Sequence, residues 1–139
     1  MKKLNVVLVY HYKEDKILMC KREKEPYKGK FNLVGGKVEE NENELDAAYR
    51  ELQEETGITA KDIILTHIMN FQYKMFDTEL EVFAGKLNKN VKLIEEVNKL
   101  YWMDKKENFF DINKFAGEGN IEHMIQQVEI YKDEVLKVK

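Results

Sequence analysis

Apolar residues along the chain cluster in short runs that polar or glycine-containing turns separate. Residues 4–12 are rich in valine and tyrosine, and a polar turn at 13–16 joins them to a short apolar run, which predicts a hairpin. Farther along, two alternating segments joined by residues 75–78 predict a second pair of strands. The predicted strands cover residues 4–12, 17–20, 31–34, 63–73, 79–87 and 99–103.

Two other segments, residues 43–56 and 120–137, repeat their apolar residues at helical spacing, and Gly57 provides a natural end for the first helix. Strands that alternate with two helices predict an α/β fold, in which helices flank a mixed sheet. The chain shows no repeat or linker, so we expect a single domain over residues 1–139. The expected core positions of the two helices are Leu45, Ala48, Tyr49 and Leu52, and Ile121, Met124, Ile125, Val128, Tyr131 and Val135.

The first predicted helix carries three carboxylates, Glu51, Glu54 and Glu55, at positions i, i+3 and i+4. Side chains at this spacing share one face of a helix, where like charges repel each other. A divalent cation removes that penalty, because Mg²⁺ prefers oxygen ligands. A solvated acidic face is the alternative in a chain with 35% charged residues, and the residues that flank the triplet favour metal binding.

The segment around these carboxylates follows a fixed pattern between two glycines. It resembles the Nudix box of the Nudix hydrolases, G-x5-E-x7-R-E-U-x-E-E-x-G-U, in which U is aliphatic. The resemblance, which extends to the MutT-like members, implies an α/β/α sandwich. The matching positions are Gly36, Glu42, Arg50, Glu51, Leu52, Glu54, Glu55, Gly57 and Ile58.

The resemblance also implies a role for each polar position. The three glutamates and the carbonyl group of Gly36 would bind Mg²⁺ or Mn²⁺, and one glutamate would act as the base for the attacking water. Members of the family differ in which glutamate is the base, so all three remain candidates. Arg50 would hold the carboxylates in ligating rotamers through its guanidinium group. The metal would neutralise the diphosphate and help to ionise the water.

Residues outside the box would complete the site. Members of the family usually add an acidic residue from another segment, and Glu96 is our preferred candidate, with Glu95 close behind. The alternative for both is an exposed loop charge. Lys21 and Arg22 end the second predicted strand and are the nearest basic pair to the box, so they are candidates for binding phosphates. The alternative is a solvated strand end.

Asn32 is the most informative residue about the substrate. The run at residues 31–38 resembles that of the diphosphatases that clear oxidised purine nucleoside triphosphates, in which an asparagine meets the edge of the base. An amide offers both a donor and an acceptor, which suits a purine. The alternative is an asparagine at a strand end whose side chain bonds the backbone. The favoured function is therefore hydrolysis of a purine nucleoside triphosphate, such as 8-oxo-dGTP, to the monophosphate and pyrophosphate.

Other functions of the same fold stay open. Dinucleoside polyphosphate hydrolases carry a tyrosine shortly after the box, and Tyr73 lies near that place. Members that act on ADP-ribose carry a proline there, whereas this chain has no proline after Pro26. A domain that only senses nucleotides commonly loses box glutamates, and all of them are present. Removal of pyrophosphate from RNA ends is a further possibility that the acidic character of the chain disfavours.

Bulk properties narrow the partners and the compartment. The net charge of −3 and the isoelectric point of about 5.7 argue against a stable complex with nucleic acid. The single cysteine, Cys20, excludes an internal disulfide and indicates a reducing compartment. No segment has the length of a membrane span. We therefore expect a cytoplasmic protein, monomeric or homodimeric, that binds a small nucleotide.

Overall fold

The computed structural model describes residues 1–138. The strands among these residues are β1 (Lys2–Tyr10), β2 (Lys16–Lys21), β3 (Phe31–Lys37), β4 (Thr66–Tyr73), β5 (Thr78–Lys86) and β6 (Leu100–Asp104). All belong to one sheet, in the spatial order β4-β5-β1-β3-β2-β6. β1 runs parallel to β5, and the other strand pairs are antiparallel, so the sheet is mixed as predicted.

The helices of the described chain are α1 (Glu44–Thr56), α2 (Asn120–Ile130) and α3 (Lys132–Val135). Alternation along β1 explains why both faces of the sheet are covered. Val7 and Val9 pack in the cluster that includes the buried face of α1, whereas Val6 and Leu8 pack in the cluster that includes α2 and α3. Successive strand residues point to opposite faces, so β1 serves both layers. The predicted α/β/α sandwich is confirmed.

Helix α1 is capped at both ends, and its carboxyl end lies at Gly57 as predicted. The side-chain oxygen of Asn43 accepts hydrogen bonds from the N–H groups of Leu45 at 2.9 Å and Asp46 at 3.3 Å, which caps the amino end. Gly57 adopts a left-handed φ of 81° and donates to Gln53, which closes the carboxyl end. The three glutamates therefore lie in the last two turns of a helix that is fixed at both ends.

Strand β3 pairs with two neighbours in succession. Residues 31–33 pair with β2, and residues 34–37 pair with β1. At the change of partner Gly35 has a φ of 153°, and a side chain there would collide with the carbonyl oxygen of Asn5. Only glycine lets β3 lie so close to β1 at this point.

The buried face of α1 differs from the predicted one. Leu45 is 38% exposed, although the helical pattern places it in the core. The predicted core positions Ala48 and Leu52 are completely buried, and Ala47, which was not predicted, is buried as well. The two small alanine side chains allow α1 to approach the sheet closely, and Leu45, in the first turn, lies at the rim of the contact beside His67 and Phe83.

Two other boundaries are wrong in the sequence prediction. The strand expected from residue 63 begins at Thr66, and Ile63 forms only an isolated bridge with Leu87. The closing helix expected to reach residue 137 is interrupted at Tyr131, whose φ of −110° and ψ of 24° are not helical. Tyr131 is exposed rather than buried. Among the described residues, no helix combines the length and the apolar character that crossing a bilayer would require.

Candidate active site

Arg50 organises the polar groups at the amino side of the three glutamates. Its Nε and Nη2 atoms donate to the two carboxylate oxygens of Glu42, at 2.7 and 2.9 Å. Its Nη1 atom donates to Glu51 at 3.0 Å and to Glu54 at 3.2 Å. The remaining Nη2 hydrogen reaches the carbonyl oxygen of Lys37 at 2.9 Å. All N–H groups of the guanidinium are therefore used, and they tie the glycine end of β3 to α1.

This network has a clear electrostatic signature. The paired hydrogen bonds from Arg50 lower the pKa of Glu42 to about 2, and the backbone N–H of Glu39 assists. The same carboxylates raise the pKa of Arg50 above its ordinary value, with Glu42 as the largest cause. Arg50 is thus held between partners in a fork geometry that lysine could not reproduce.

Gly36 leaves room for the carboxylate of Glu51. A Cβ atom at position 36 would collide with that carboxylate group. The side chain of Glu51 is only 16% exposed, in contrast to that of Glu54, which is 58% exposed. The backbone of Gly36 and the carboxylate of Glu51 are therefore in direct contact, which only a residue without a side chain permits.

Glu55 lies on the inner side of the helix. It accepts a hydrogen bond from the N–H of Gly35 at 3.3 Å. Burial raises the pKa of Glu55 to about 7; the bond from Gly35 opposes this rise, and the charge of Glu51 adds to it. Glu55 is half-buried and has one weak partner, so this carboxylate favours a cation or a proton.

The oxygen donors fit a hard divalent cation by their chemistry, since carboxylate and carbonyl oxygens are its usual ligands. Among residues 1–138, however, no three His, Cys, Asp or Glu side chains form a group that could hold a metal as they stand. Arg50 holds Glu51 and Glu54, while Glu55 turns to Gly35. Metal binding therefore requires these carboxylates to turn toward one another.

A cleft of about 330 Å³ extends from this region across the end of the sheet. One group of lining residues, here called the polar end, is Gly35, Glu55 and Arg22 with the adjoining Gly36 and Lys37, because Glu55 accepts from Gly35 and the charge of Arg22 acts on Glu55. A second group, here called the aromatic end, contains Tyr27 and Phe76, whose ring centroids are 6.3 Å apart, and Tyr73, which donates to Gly117. The lining also includes Asn32, Leu80, Asn98, Ile121 and Met124.

Two of the sequence-predicted binding residues line the cleft. Asn32 does so while its side-chain oxygen accepts a hydrogen bond from the N–H of Leu33 at 2.8 Å, which leaves its NH₂ group for a ligand. Arg22 lies at the polar end, and its Nε atom donates to the carbonyl oxygen of Pro26 at 3.2 Å. The guanidinium also lies close enough to Glu55 to oppose the rise of its pKa.

The structure does not bring Lys21 and Glu96 to the cleft. Lys21 is exposed, and its ammonium lies 5.7 Å from the centroid of the Phe31 ring. Glu96 is exposed outside the lining of the cleft, and its neighbour Glu95 accepts a hydrogen bond from the N–H of Leu100 at 2.8 Å. Asn98 is the residue of this segment that lines the cleft.

Sequence reasoning missed three residues of this region. Tyr27 donates from its hydroxyl to both carboxylate oxygens of Glu118, at 2.8 and 2.6 Å, across the aromatic end of the cleft. These two residues are far apart in sequence, and no local pattern predicts their contact. The side chain of Asn5 accepts a hydrogen bond from Gly36. The sequence could have indicated Asn5, because it is a polar residue directly before a run of buried apolar residues.

The NUDIX domain family model matches residues 1–126 of the chain. A curated relative, the ADP-ribose pyrophosphatase of Methanocaldococcus jannaschii, is 49% identical over 49 residues, which cover 35% of this chain and 29% of that protein. The 8-oxo-dGDP phosphatase NUDT18 of Danio rerio is 28% identical over 101 residues, 71% of this chain and 31% of that protein. The chain thus spans about three tenths of either relative.

Solved structures share the fold. An Ap4A hydrolase of C. elegans, in a binary complex, superposes with a TM-score of 0.76 at 17% identity, over 96% of this chain and 98% of that one. A bifunctional NMN adenylyltransferase/ADP ribose pyrophosphatase of Francisella tularensis, complexed with AMP and a Mn ion, gives 0.71 at 20% identity, over 93% and 41%. The family match, the complete box and the shared architecture agree: this chain belongs to the Nudix family.

Proposed function

We propose that the protein is a divalent-metal-dependent pyrophosphohydrolase of a nucleoside diphosphate linked to another group. The observation that carries this proposal is the cleft, whose lining combines a polar end, with Glu55, Arg22 and the two glycines, with an aromatic end at Tyr27 and Phe76. A diphosphate with its metal fits the first end, and a nucleoside base fits the second. The charge pattern supports this orientation, because Arg22 and Glu55 both lie at the polar end.

The metal would be held by Glu51, Glu54, Glu55 and the carbonyl oxygen of Gly36. Bound Mg²⁺ or Mn²⁺ would neutralise the diphosphate and favour ionisation of the attacking water. The Francisella relative, whose structure contains a Mn ion, supports a divalent metal. Glu96, which lies outside the cleft lining, would join only if residues 92–98 moved toward the polar end.

The protein's own side chains would provide orientation and charge. Arg50 keeps Glu51 and Glu54 on the side of α1 that faces Lys37, which limits the rotamers they sample. Arg22, at the polar end of the cleft, would bind a phosphate oxygen. Lys21 would contribute only to the positive electrostatic potential around the cleft, because its ammonium lies over the ring of Phe31.

Our preferred substrate is a modified purine nucleoside triphosphate such as 8-oxo-dGTP. Asn32 at the cleft supports it, as does the matched stretch of the Danio 8-oxo-dGDP phosphatase. A dinucleoside polyphosphate is the second candidate, because Tyr73 also lines the cleft. ADP-ribose belongs in the same test, since it is the substrate named for the Methanocaldococcus relative.

A substrate panel tests this proposal. The purified protein with Mg²⁺ is incubated with 8-oxo-dGTP, dGTP, diadenosine tetraphosphate and ADP-ribose, and the products are separated by chromatography. We expect the highest kcat/KM for 8-oxo-dGTP, with the monophosphate and pyrophosphate as products. Tight binding without turnover of any compound would instead indicate a nucleotide sensor, and would contradict the proposed activity.

The substitution Glu54→Gln provides the matched test of the metal ligands. Because the Glu54 side chain is 58% exposed, the variant should fold as the wild type does. Loss of one carboxylate ligand should lower kcat by roughly 100-fold and weaken Mg²⁺ binding. Gln53→Ala, at the exposed neighbouring position, should leave both unchanged. Wild-type activity in Glu54→Gln would remove this residue from the metal site.

A further inference from the structure

Asn5 is a buried polar residue in the middle of an apolar strand. Its side chain and backbone together are 1% exposed, and the next residues along β1, Val6 and Val7, are buried apolar side chains. A buried polar side chain usually has a specific hydrogen-bond partner. For Asn5 this partner is Gly36, the first residue of the box.

The contacts of Asn5 converge on the two glycines of β3. Its Oδ1 atom accepts a hydrogen bond from the N–H of Gly36 at 3.1 Å. Its backbone carbonyl occupies the space where a side chain of residue 35 would lie. Asn5 therefore holds both glycines, through its side chain and its main chain.

Only the oxygen of the Asn5 amide has a hydrogen-bond partner. The Nδ2 atom is buried, and no group among residues 1–138 accepts a hydrogen bond from it. An unpaired buried donor is unfavourable, and a leucine of similar size would avoid this cost. The hydrogen bond with Gly36 therefore explains why position 5 carries an amide rather than an apolar side chain.

Gly36 also has a second anchor. On its carboxyl side, the carbonyl oxygen of Lys37 accepts from Arg50 at 2.9 Å. Glycine itself restricts its backbone less than any other residue, so its carbonyl direction must be fixed from outside. Asn5 and Arg50 fix the chain on either side of it.

We propose that Asn5 is a positioning residue that sets the direction of the Gly36 carbonyl group for metal binding. This inference rests on the proposed function, which assigns that carbonyl as a ligand. Asn5 fixes the Gly35–Gly36 peptide and Arg50 fixes the Lys37–Val38 peptide, so together they restrict the peptide between them, which carries the Gly36 carbonyl. Asn5 does not touch the metal. Loss of its amide lets the Gly36 carbonyl turn, and metal affinity falls with it.

Binding of Mn²⁺ alone, without nucleotide, tests the proposal. Free Mn²⁺ is measured by electron paramagnetic resonance with the wild type, Asn5→Leu and Glu81→Gln. Glu81 is the matched control, because it is 3% exposed and is the register partner of Asn5 on β5, but its bond is to His67. We expect Asn5→Leu to weaken Mn²⁺ binding about 10-fold or more, and Glu81→Gln to leave it unchanged.

The possible outcomes distinguish a failure of the Asn5 role from a failure of the proposed metal site. Equal Mn²⁺ affinity in the wild type and Asn5→Leu would overturn the role of Asn5 but not the metal site. Equal weakening in Asn5→Leu and Glu81→Gln would also overturn that role, because it would show a general effect of damage to the core. A wild type that binds no Mn²⁺ overturns the proposed metal site and this inference with it.

Nuclear magnetic resonance of the wild type provides a test that does not depend on the variants folding. The Gly36 amide hydrogen should exchange slowly with solvent before metal is added, because Asn5 accepts its hydrogen bond. Saturation with Mg²⁺ should shift the resonances of the Gly36 amide and the Asn5 NH₂ group. Fast exchange of the Gly36 amide, or resonances that do not move, would overturn the proposal.

Discussion

At the scale of single residues, Arg50 shows how much one side chain can connect. Its place beside Glu51 and four residues after Asp46 predicts an ordinary ion pair. In the structure its partners are Glu42, Glu51, Glu54 and the Lys37 carbonyl. The box resemblance predicts its orienting role, but only the fold shows that Glu42, from the loop before α1, takes two of its hydrogen bonds.

Glu42 makes stability depend on pH in a defined window. Its pKa falls from 4.5 to about 2 in the folded protein, chiefly because Arg50 donates to it. A carboxylate whose pKa is lower when folded stabilises the protein above its unfolded pKa, and this stabilisation is lost as pH falls toward the folded pKa. Glu42→Gln should therefore unfold at a lower urea concentration than wild type at neutral pH, and the difference should shrink between about pH 5 and pH 3.

Glu40→Gln is the control for this comparison, because Glu40 is exposed in the same loop and is not among the residues that bind Arg50 in the described chain. Its unfolding midpoint should follow that of the wild type over the whole range. A constant difference between Glu42→Gln and the wild type down to acid pH would contradict the pairing.

At the scale of elements, α1 is the part of the fold that the sequence predicts best. Its glycine end and its acidic triplet are local features, so they can be recognised without knowing the rest of the chain. The exposed Leu45 is the exception, since burial depends on where the helix meets the sheet. The break at Tyr131 was missed for a related reason, because the apolar spacing continues across it.

The cap of α1 supports the whole candidate site. Asn43→Ala removes the acceptor for the N–H groups of Leu45 and Asp46, so it should lower the free energy of unfolding by about 1 kcal/mol. Urea denaturation measures this change directly. Asn43→Asp retains an acceptor and should stay within a few tenths of a kcal/mol of the wild type. An unchanged midpoint in Asn43→Ala would mean that α1 does not need its cap.

At the scale of the whole molecule, the cleft is the feature that sequence reasoning could not assemble. The resemblance of residues 31–38 predicts Asn32, and nearness to the box predicts Arg22; both residues line the cleft. Its aromatic end is built from the segments around Tyr27, Phe76 and Gly117, which lie far apart along the chain. Local periodicity carries no information about such contacts, which depend on tertiary packing.

The bond between Tyr27 and Glu118 joins two of these segments, at 2.6 and 2.8 Å. Tyr27→Phe removes the bond but keeps the ring beside Phe76, whose centroid is 6.3 Å away. Because Glu118 is exposed, the loss of stability should be at most about 1 kcal/mol. Hydrogen exchange of the Gly117 and Gly119 amides should become faster, and KM for the nucleotide should rise a few-fold with little change in kcat.

Tyr101→Phe is the control for that variant. Tyr101 packs edge-on against Phe31, and among residues 1–138 its hydroxyl is not a partner in any side-chain bond that shapes the cleft. Its exchange rates and KM should match the wild type. Unchanged exchange in Tyr27→Phe would show that the two segments are held together by other contacts.

The central position of β1 has a consequence for synthesis on the ribosome. Lys2 pairs with Thr78 and Tyr10 with Lys86, so β1 has no parallel neighbour until β5 has been translated. During that interval its valines and its unpaired backbone edge are open to other nascent chains. Chaperones that shield extended apolar segments should therefore increase the yield of folded protein.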